Sequence, residues 1–410
     1  MSNSISDYQK AIETKFQELF NQQPLIIRSP GRINLIGEHT DYNKGFVLPA
    51  AINKAIYLGI QRRDDHEIHL HSFDYNEDHQ TTTGQVVRSG KLWPDYVLGV
   101  VEQVIRIHKR NNMDNAEGNG TDPKGGMGGE PLGGFNIVFG GDIPPGAGLS
   151  SSAALECATA YALNEIFGLK MGKMDMVKIS QAAENEFVGM KCGIMDQFAS
   201  MFGKKDHLIR LDCQSLEYTY IPFRLEGVTV VLFDTRVKHS LASSAYNERR
   251  EQCEEGVRLV RAQRPEVESL RDTTEEMLLN YVKPVNELVY HRCSFVVAEI
   301  ERLLSGCRDL DNNDVKSFGK KMFETHDGLS KLYEVSCKEL DILVDLVKAD
   351  PNVLGSRMMG GGFGGCTINL IKNEAVSGLI TKVSEMYKKE TGVEMLVYEV
   401  DVEDGTGMII

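Results

Sequence analysis

Hydrophobic residues mark out the elements of this chain before any single motif is considered. Tyr8, Ile12, Phe16 and Leu19 recur at helical spacing, and Ser4 with Asp7 has the form of a capping box, so residues 4–20 are predicted to be a helix. Short strands are predicted at 25–28, 55–61 and 67–72, the last two by period-two alternation through Ile56, Leu58, Ile60 and Ile68, Leu70. A helix is expected over 93–107, a strand over 135–139, and two helices over about 151–167 and 173–190. The second of these carries a stripe of Met176, Ile179, Ala183 and Phe187. Strand patterns recur at 208–212 and 228–234, helical patterns fill about 243–349, and strands close the chain at 365–370 and 394–401. Residues 111–134 are rich in Gly, Asn and Asp and poor in apolar residues, which predicts an inserted surface loop. Strands interleaved with helices, without a regular βαβ alternation, predict an α+β fold.

Composition narrows the picture without deciding it. The chain has 410 residues, enough for two cores, and 41% hydrophobic with 25% charged residues suits a globular protein. Its net charge of −14 argues against nucleic-acid or anionic-membrane partners, yet local cations and backbone N–H groups can still hold phosphates. No run of apolar residues is long enough to span a membrane, and the N-terminal segment lacks the basic and apolar regions of a secretory signal. Eight cysteines lie without Cys-x-x-Cys spacing, so reduced thiols and a cytoplasmic location are expected.

Three glycine-containing stretches carry the candidate chemistry. In the first, Pro30-Gly-Arg-Ile-Asn-Leu-Ile-Gly-Glu-His-Thr-Asp-Tyr42, Arg32 offers a fork of donors, Glu38 and Asp41 offer acceptors, and His39 can do either. Such a cluster suits a polyhydroxylated ligand, although each residue alone could be a solvated charge on a turn. In the second, Gly140-Gly-Asp-Ile-Pro-Pro-Gly-Ala-Gly-Leu-Ser-Ser-Ser152, a strand ends and three serines open an alanine-rich helix. The free N–H groups of that helix start make a site for polyphosphate, and one serine could equally be an N-cap. No Walker sequence occurs. The third, Gly360-Gly-Gly-Phe-Gly-Gly365, satisfies Gly-x-Gly-x-x-Gly but runs on as a strand, which excludes a dinucleotide fingerprint. Asp196 sits among Ile194, Met195 and Phe198, where its carboxylate needs a cation, and Arg32 is the candidate.

The order and content of these stretches resemble the galactokinases of the GHMP family of small-molecule kinases, over nearly the whole chain. The resemblance implies a two-lobed fold, with residues 1–205 holding the sugar and phosphate motifs and 206–410 the third glycine motif. It implies that Arg32, Glu38, His39, Asp41, Gly193, Asp196 and Tyr246 bind galactose. Gly146, Ala147, Gly148, Leu149, Ser150, Ser151 and Ser152 would hold the phosphates of ATP, with Trp93 and Tyr96 beside the adenine. Mg²⁺ would sit on Ser152 and Glu184. Asp196 would accept the C1 hydroxyl proton or, with Arg32, orient the sugar and stabilise charge on the phosphoryl group. The third motif would brace the phosphate loop. A monomer or weak dimer is expected. A kinase for N-acetylgalactosamine, or a galactose sensor without catalysis, are the alternatives; the intact Ser152-Ala153 pair speaks against the sensor.

Overall fold

A computed structural model describes residues 5–117, 132–223, 225–238 and 242–409. Helix α1 (Ile5–Phe20) leads into β1 (Leu25–Asn34), β2 (Phe46–Val47), β3 (Pro49–Arg62), β4 (Glu67–Ser72), β5 (Glu77–Thr82), α2 (Leu92–Glu117) and β6 (Phe135–Gly141). Then come α3 (Ser151–Phe167), α4 (Lys173–Ala182), α5 (Met195–Phe202), β7 (His207–Asp212), β8 (Tyr218–Pro222) and β9 (Val228–Lys238). Five helices follow: α6 (Ala242–Arg261), α7 (Glu275–Tyr281), α8 (Glu287–Asp311), α9 (Val315–Lys331) and α10 (Lys338–Lys348). The chain closes through β10 (Val353–Met358), β11 (Gly364–Lys372), α11 (Val376–Thr391), β12 (Leu396–Val400) and β13 (Gly407–Met408).

The strands form a six-stranded sheet in the order β13-β1-β3-β6-β4-β5, a four-stranded sheet β10-β11-β9-β12, and a small sheet β2-β7-β8. Every pairing in the six-stranded sheet is antiparallel except β4 with β6. This is the expected α+β class. The short β13 pairs with β1, so the end of the chain returns to the sheet that its beginning built. Its neighbour Thr406 adds a buried hydroxyl bond to Ser29, at 2.8 Å.

Two expectations are corrected by the structure. Residues 111–117 continue α2 rather than opening a loop. They contain no Gly or Pro before Gly118, and once a helix is nucleated each added residue gains a hydrogen bond even on a polar face. The rest of that expected loop, 118–131, lies outside the described residues. The predicted helix over 173–190 is not uniform: α4 stops at Ala182, and Ala183–Val188 form a wider π-helical turn closed by Gly189 at φ +95°. Such turns inside helices are frequent at functional sites, and this one carries Glu184.

Beneath the loops, the main core joins the inward faces of β1, β3 and β6 to α2, α3 and α5. A second core fills the space between α6, α8 and the segment after α9, around Phe295, Leu329 and Tyr333. The candidate site lies where these two bodies of apolar packing meet.

Candidate active site

Strand β1 delivers Arg32 to the centre. Gly31 is required there, since a Cβ on it would stand 2.6 Å from the Leu149 carbonyl oxygen, which accepts the Arg32 backbone N–H at 3.1 Å. The guanidinium is only 4% exposed and grips Asp196 in a fork: Nε donates to Oδ1 at 2.9 Å and Nη2 to Oδ2 at 3.1 Å. Its remaining Nη1 donates to the Gly148 carbonyl. Burial works against the Arg32 charge, but Asp196 and then Glu38 outweigh it, and its pKa stands raised. Asp196 opens α5, and its Oδ2 also accepts from the Ser150 hydroxyl at 2.6 Å.

Around this ion pair lies a cavity of about 180 Å³, lined by Arg32, Glu38, His39, Asp41, Glu184, Met190, Cys192, Gly193, Met195, Asp196, Tyr246, Gly360 and Gly361. All seven residues expected to meet a sugar therefore share one wall-to-wall space. Asp41 and Gly193 are in intimate contact: a Cβ on Gly193 would fall 1.8 Å from Asp41 Oδ2. Burial, then the charge of Asp196, pushes the Asp41 pKa up to about 6, against hydrogen bonds from the backbone N–H groups of Tyr42 and Met195. His39 is 4% exposed with φ +62°, and burial drives its pKa down to about 4, so the imidazole is neutral. The Tyr246 ring, from α6, packs on His39 at 5.3 Å and Tyr42 at 5.7 Å between centroids. Residues 239–241, which precede α6, lie outside the described residues.

Glu38 has a second duty. Its Oε1 accepts from Arg357 Nη2 at 3.0 Å and from the Gly360 N–H at 2.8 Å. Burial raises its pKa, yet Arg357 and Arg32 more than compensate and hold it below the usual carboxylate range. Arg357 is fully buried and also donates to the Leu35 carbonyl at 2.9 Å, so it staples the third glycine motif to the sugar loop. Gly360 and Gly365 lie against Gly148 and Ala147, at 3.3 Å for the Cβ atoms that glycine lacks. Contact at that range is the bracing expected of the third motif.

A second cavity, about 330 Å³, opens on the other side of Ser152. Trp93, Tyr96, Phe139, Ile56, Tyr75 and Leu155 form its apolar walls, and Ser151 and Ser152 line it at the start of α3. Trp93 packs on Phe139 at 5.6 Å and donates its indole N–H to Glu77 at 3.2 Å. Ser150 occupies the N-cap position of α3 in a left-handed conformation, but its side chain makes no capping bond. Its hydroxyl is committed to Asp196 instead, which leaves the first N–H groups of the helix open for an anion. Ala147 and Leu149 turn their side chains into the core, so they can offer a ligand only backbone, while Gly146 and Gly148 take positive φ.

Between the two cavities, Ser152 Oγ donates to Glu184 Oε1 at 3.1 Å. Burial first and Asp196 next push the Glu184 pKa up to about 7. A hydroxyl and a carboxylate are hard oxygen donors, and two of them fit Mg²⁺ when phosphate and water complete its shell. The sequence reading missed what stands behind Glu184. Gln197 donates to its Oε2 at 2.7 Å and to Glu156 Oε2 at 3.1 Å, and Glu156 is fully buried with its pKa driven well up by burial and by Glu184. A glutamate set between Ala154 and Ala158 of α3 was the signal available for it.

Matches to known proteins agree with this geometry. Residues 14–62 match the galactokinase galactose-binding signature, 103–204 the GHMP kinases N terminal domain, and 307–389 the GHMP kinases C terminal. A galactokinase of Thermotoga maritima is 40% identical over 383 residues, covering 93% of this chain and 99% of that one. One of Halalkalibacterium halodurans is 36% identical over 411 residues, covering 97% of each. The crystal structure of Lactococcus lactis galactokinase complexed with galactose superposes with a TM-score of 0.88 at 30% identity, covering 98% and 99% of the two chains. Mevalonate kinase shares the fold alone, with a TM-score of 0.61 at 18% identity. The chain belongs to the galactokinase family of the GHMP kinases. It is an ATP-dependent sugar kinase. Among the described residues no helix is long and apolar enough to cross a membrane.

Proposed function

We propose that the protein transfers the γ-phosphoryl group of MgATP to the C1 hydroxyl of α-D-galactose, releasing galactose 1-phosphate and ADP. The observation that carries this reading is the placement of the Arg32–Asp196 pair. It lines the polar cavity, and through Ser150 and Gly148 it touches the loop that opens α3. A hydroxyl in the polar cavity and a phosphate chain on the helix start would meet there.

In this account Arg32, Glu38, His39, Asp41, Gly193, Asp196 and Tyr246 hold the sugar. The N–H groups at Ser151 and Ser152 hold the phosphates, and Trp93 and Tyr96 flank the base. Asp196 accepts the C1 hydroxyl proton while Arg32 keeps the carboxylate oriented and faces the developing charge. Ser152 and Glu184 would hold Mg²⁺, which when bound neutralises charge on the phosphate oxygens. Glu184 is suited to this because its carboxyl faces the Ser152 hydroxyl and is aimed by Gln197. The sugar and phosphate loops come from residues 1–205, and Tyr246 and the third glycine motif from 206–410. We further propose a cytoplasmic monomer acting on galactose and ATP without nucleic-acid or membrane partners.

The test is product analysis. Purified protein with galactose, ATP and Mg²⁺ should yield ADP and one sugar phosphate, with ³¹P–¹H coupling to the anomeric proton in the α configuration. A phosphate on any other carbon, or no sugar phosphate at all, would refute the assignment.

A further inference from the structure

We propose that Glu77 is a positioning residue for the nucleotide, latching the turn between β4 and β5 to the start of α2 and so fixing the Trp93 ring. This rests on the reading of the larger cavity as the seat of ATP. That cavity has a wall on each side of the latch: Asp74 and Tyr75 come from the turn, and Trp93 and Tyr96 from α2. Glu77 itself is not part of the lining. It is the first residue of β5, paired with Ser72 across the base of the turn.

The turn needs a polar tether because its strand offers no other. β5 reads Glu-Asp-His-Gln-Thr-Thr and has no apolar side chain to bury against α2. Two bonds tie the turn to β6: the Phe73 N–H donates to the Phe139 carbonyl at 2.8 Å, and the Gly141 N–H donates to Asp74 Oδ2 at 3.1 Å. Glu77 supplies the link to the helix side. Its Oε2 accepts from Trp93 Nε1 at 3.2 Å and from Lys91 Nζ at 2.6 Å. First Lys91 and then Trp93 hold its carboxyl below the usual carboxylate range, so the acceptor is ionised at neutral pH.

The ring needs the tether as well. An indole has a single polar atom, a donor, and a buried one ordinarily finds an acceptor. Trp93 is 9% exposed, and its ring meets Phe139 at 5.6 Å between centroids with the planes tilted by 51°. Apolar contact of that kind is non-directional and lets the ring turn about its side-chain torsions. A hydrogen bond at the N–H selects one orientation, and the same carboxylate holds the opposite wall at a fixed distance.

Trp93 is the sole tryptophan of the chain, so the intrinsic fluorescence of the full-length protein reports on this ring alone. Glu77→Ala removes the acceptor, whereas Glu77→Gln keeps an oxygen for the indole N–H. Both should fold, since the side chain is half exposed. In Glu77→Ala without nucleotide, the emission should move to longer wavelength and acrylamide should quench it more readily. The ATP KM should rise about two- to threefold, with the galactose KM unchanged. Glu77→Gln should stay near wild type on both readouts. Lys91→Ala should do so too, because its ion pair with Glu77 is open to solvent. Unmoved emission in Glu77→Ala, or a Glu77→Gln variant no better than Glu77→Ala, would overturn the proposal. Moved emission with an unchanged ATP KM would overturn it too, and Trp93→Leu then locates the fault. If Trp93→Leu raises the ATP KM, only the latch fails; if it does not, the seat assigned to ATP fails as well.

Discussion

The two cavities joined by the Ser152–Glu184 hydrogen bond are built on opposite principles. The smaller is lined by charged and polar groups already tied to one another: Arg32 to Asp196, Glu38 to Arg357 and Gly360, Asp41 pressed against Gly193. The larger has mainly aromatic and aliphatic walls and takes its polarity from Asp74, Ser151, Ser152 and the open N–H groups of one helix start. A network of fixed charges rewards one arrangement of hydroxyls and penalises others, because a missing donor leaves a buried acceptor unpaired. Apolar walls with a helix terminus tolerate more variation, since stacking and phosphate contacts do not depend on one hydroxyl. The sugar side should therefore break under small changes that the nucleotide side absorbs.

The largest effect is expected at the carboxylate that joins the polar cavity to the loop opening α3. Asp196→Asn keeps the shape but removes the charge and the proton acceptor, and kcat should fall by about 10²-fold or more with a lesser change in galactose KM. Steady-state kinetics decide it. A variant within severalfold of wild type would mean that Asp196 only orients the sugar.

Gly193→Ala comes next. The added methyl would overlap Asp41 Oδ2, 1.8 Å away, so the carboxylate has to move. A displacement of that size should cost about 10²-fold in kcat/KM for galactose. Nucleotide binding, measured by calorimetry with a non-hydrolysable ATP analogue, should stay near wild type.

Asp41 gives a pH signature. With its pKa at about 6, galactose kcat/KM should fall as pH drops through 6 and level off above it, and this limb should be absent in Asp41→Asn. Stability should move the other way. The carboxyl keeps its proton to higher pH in the folded than in the unfolded state, so folding loses stability as pH rises from the unfolded value of 3.8 through about 6. Asp41→Asn should accordingly raise Tm at neutral pH while lowering activity.

On the nucleotide side the effect should be mild. Trp93→Leu keeps an apolar wall and loses stacking, so the KM for ATP should rise by roughly fivefold, within the range of base–aromatic stacking, with galactose KM unchanged. A galactose KM that rises as much as that for ATP would erase the contrast between the cavities.

How much of this was legible follows the range of the interactions. The three glycine stretches were readable because their chemistry is local: glycines for close approach, serines at a helix start, charges clustered within ten positions. In the N-terminal sheet β1, β3, β4 and β6 were readable because short apolar or alternating runs mark them, although β1, β3 and β6 are buried on both faces. Strand β5, Glu-Asp-His-Gln-Thr-Thr, was missed, since it has no apolar residue to give a period. Strand β13 was not, since two residues carry no period and its pairing depends on a partner at the other end of the chain. Strand β10 was missed because Gly355 interrupts it, and that glycine is demanded by the close approach of Gly319. In the site, Ser150 reads locally as an N-cap, but a long-range bond to Asp196 outcompetes that role. Arg357 and Tyr333 lie 319 and 291 positions from the sugar-loop residues they hold, and no local pattern reports such partners.

In the proposed function the charged cavity reads galactose while the apolar one serves as a general seat for ATP. The direct measurement is initial rates of the wild-type protein with ATP and a panel of galactose, glucose, 2-deoxygalactose and N-acetylgalactosamine. Galactose and glucose differ only at the axial 4-hydroxyl, and one unpaired buried carboxylate is worth roughly 1–3 kcal/mol or more. The account predicts kcat/KM for galactose at least about tenfold above that for glucose, and above that for N-acetylgalactosamine. Equal use of glucose and galactose would contradict it.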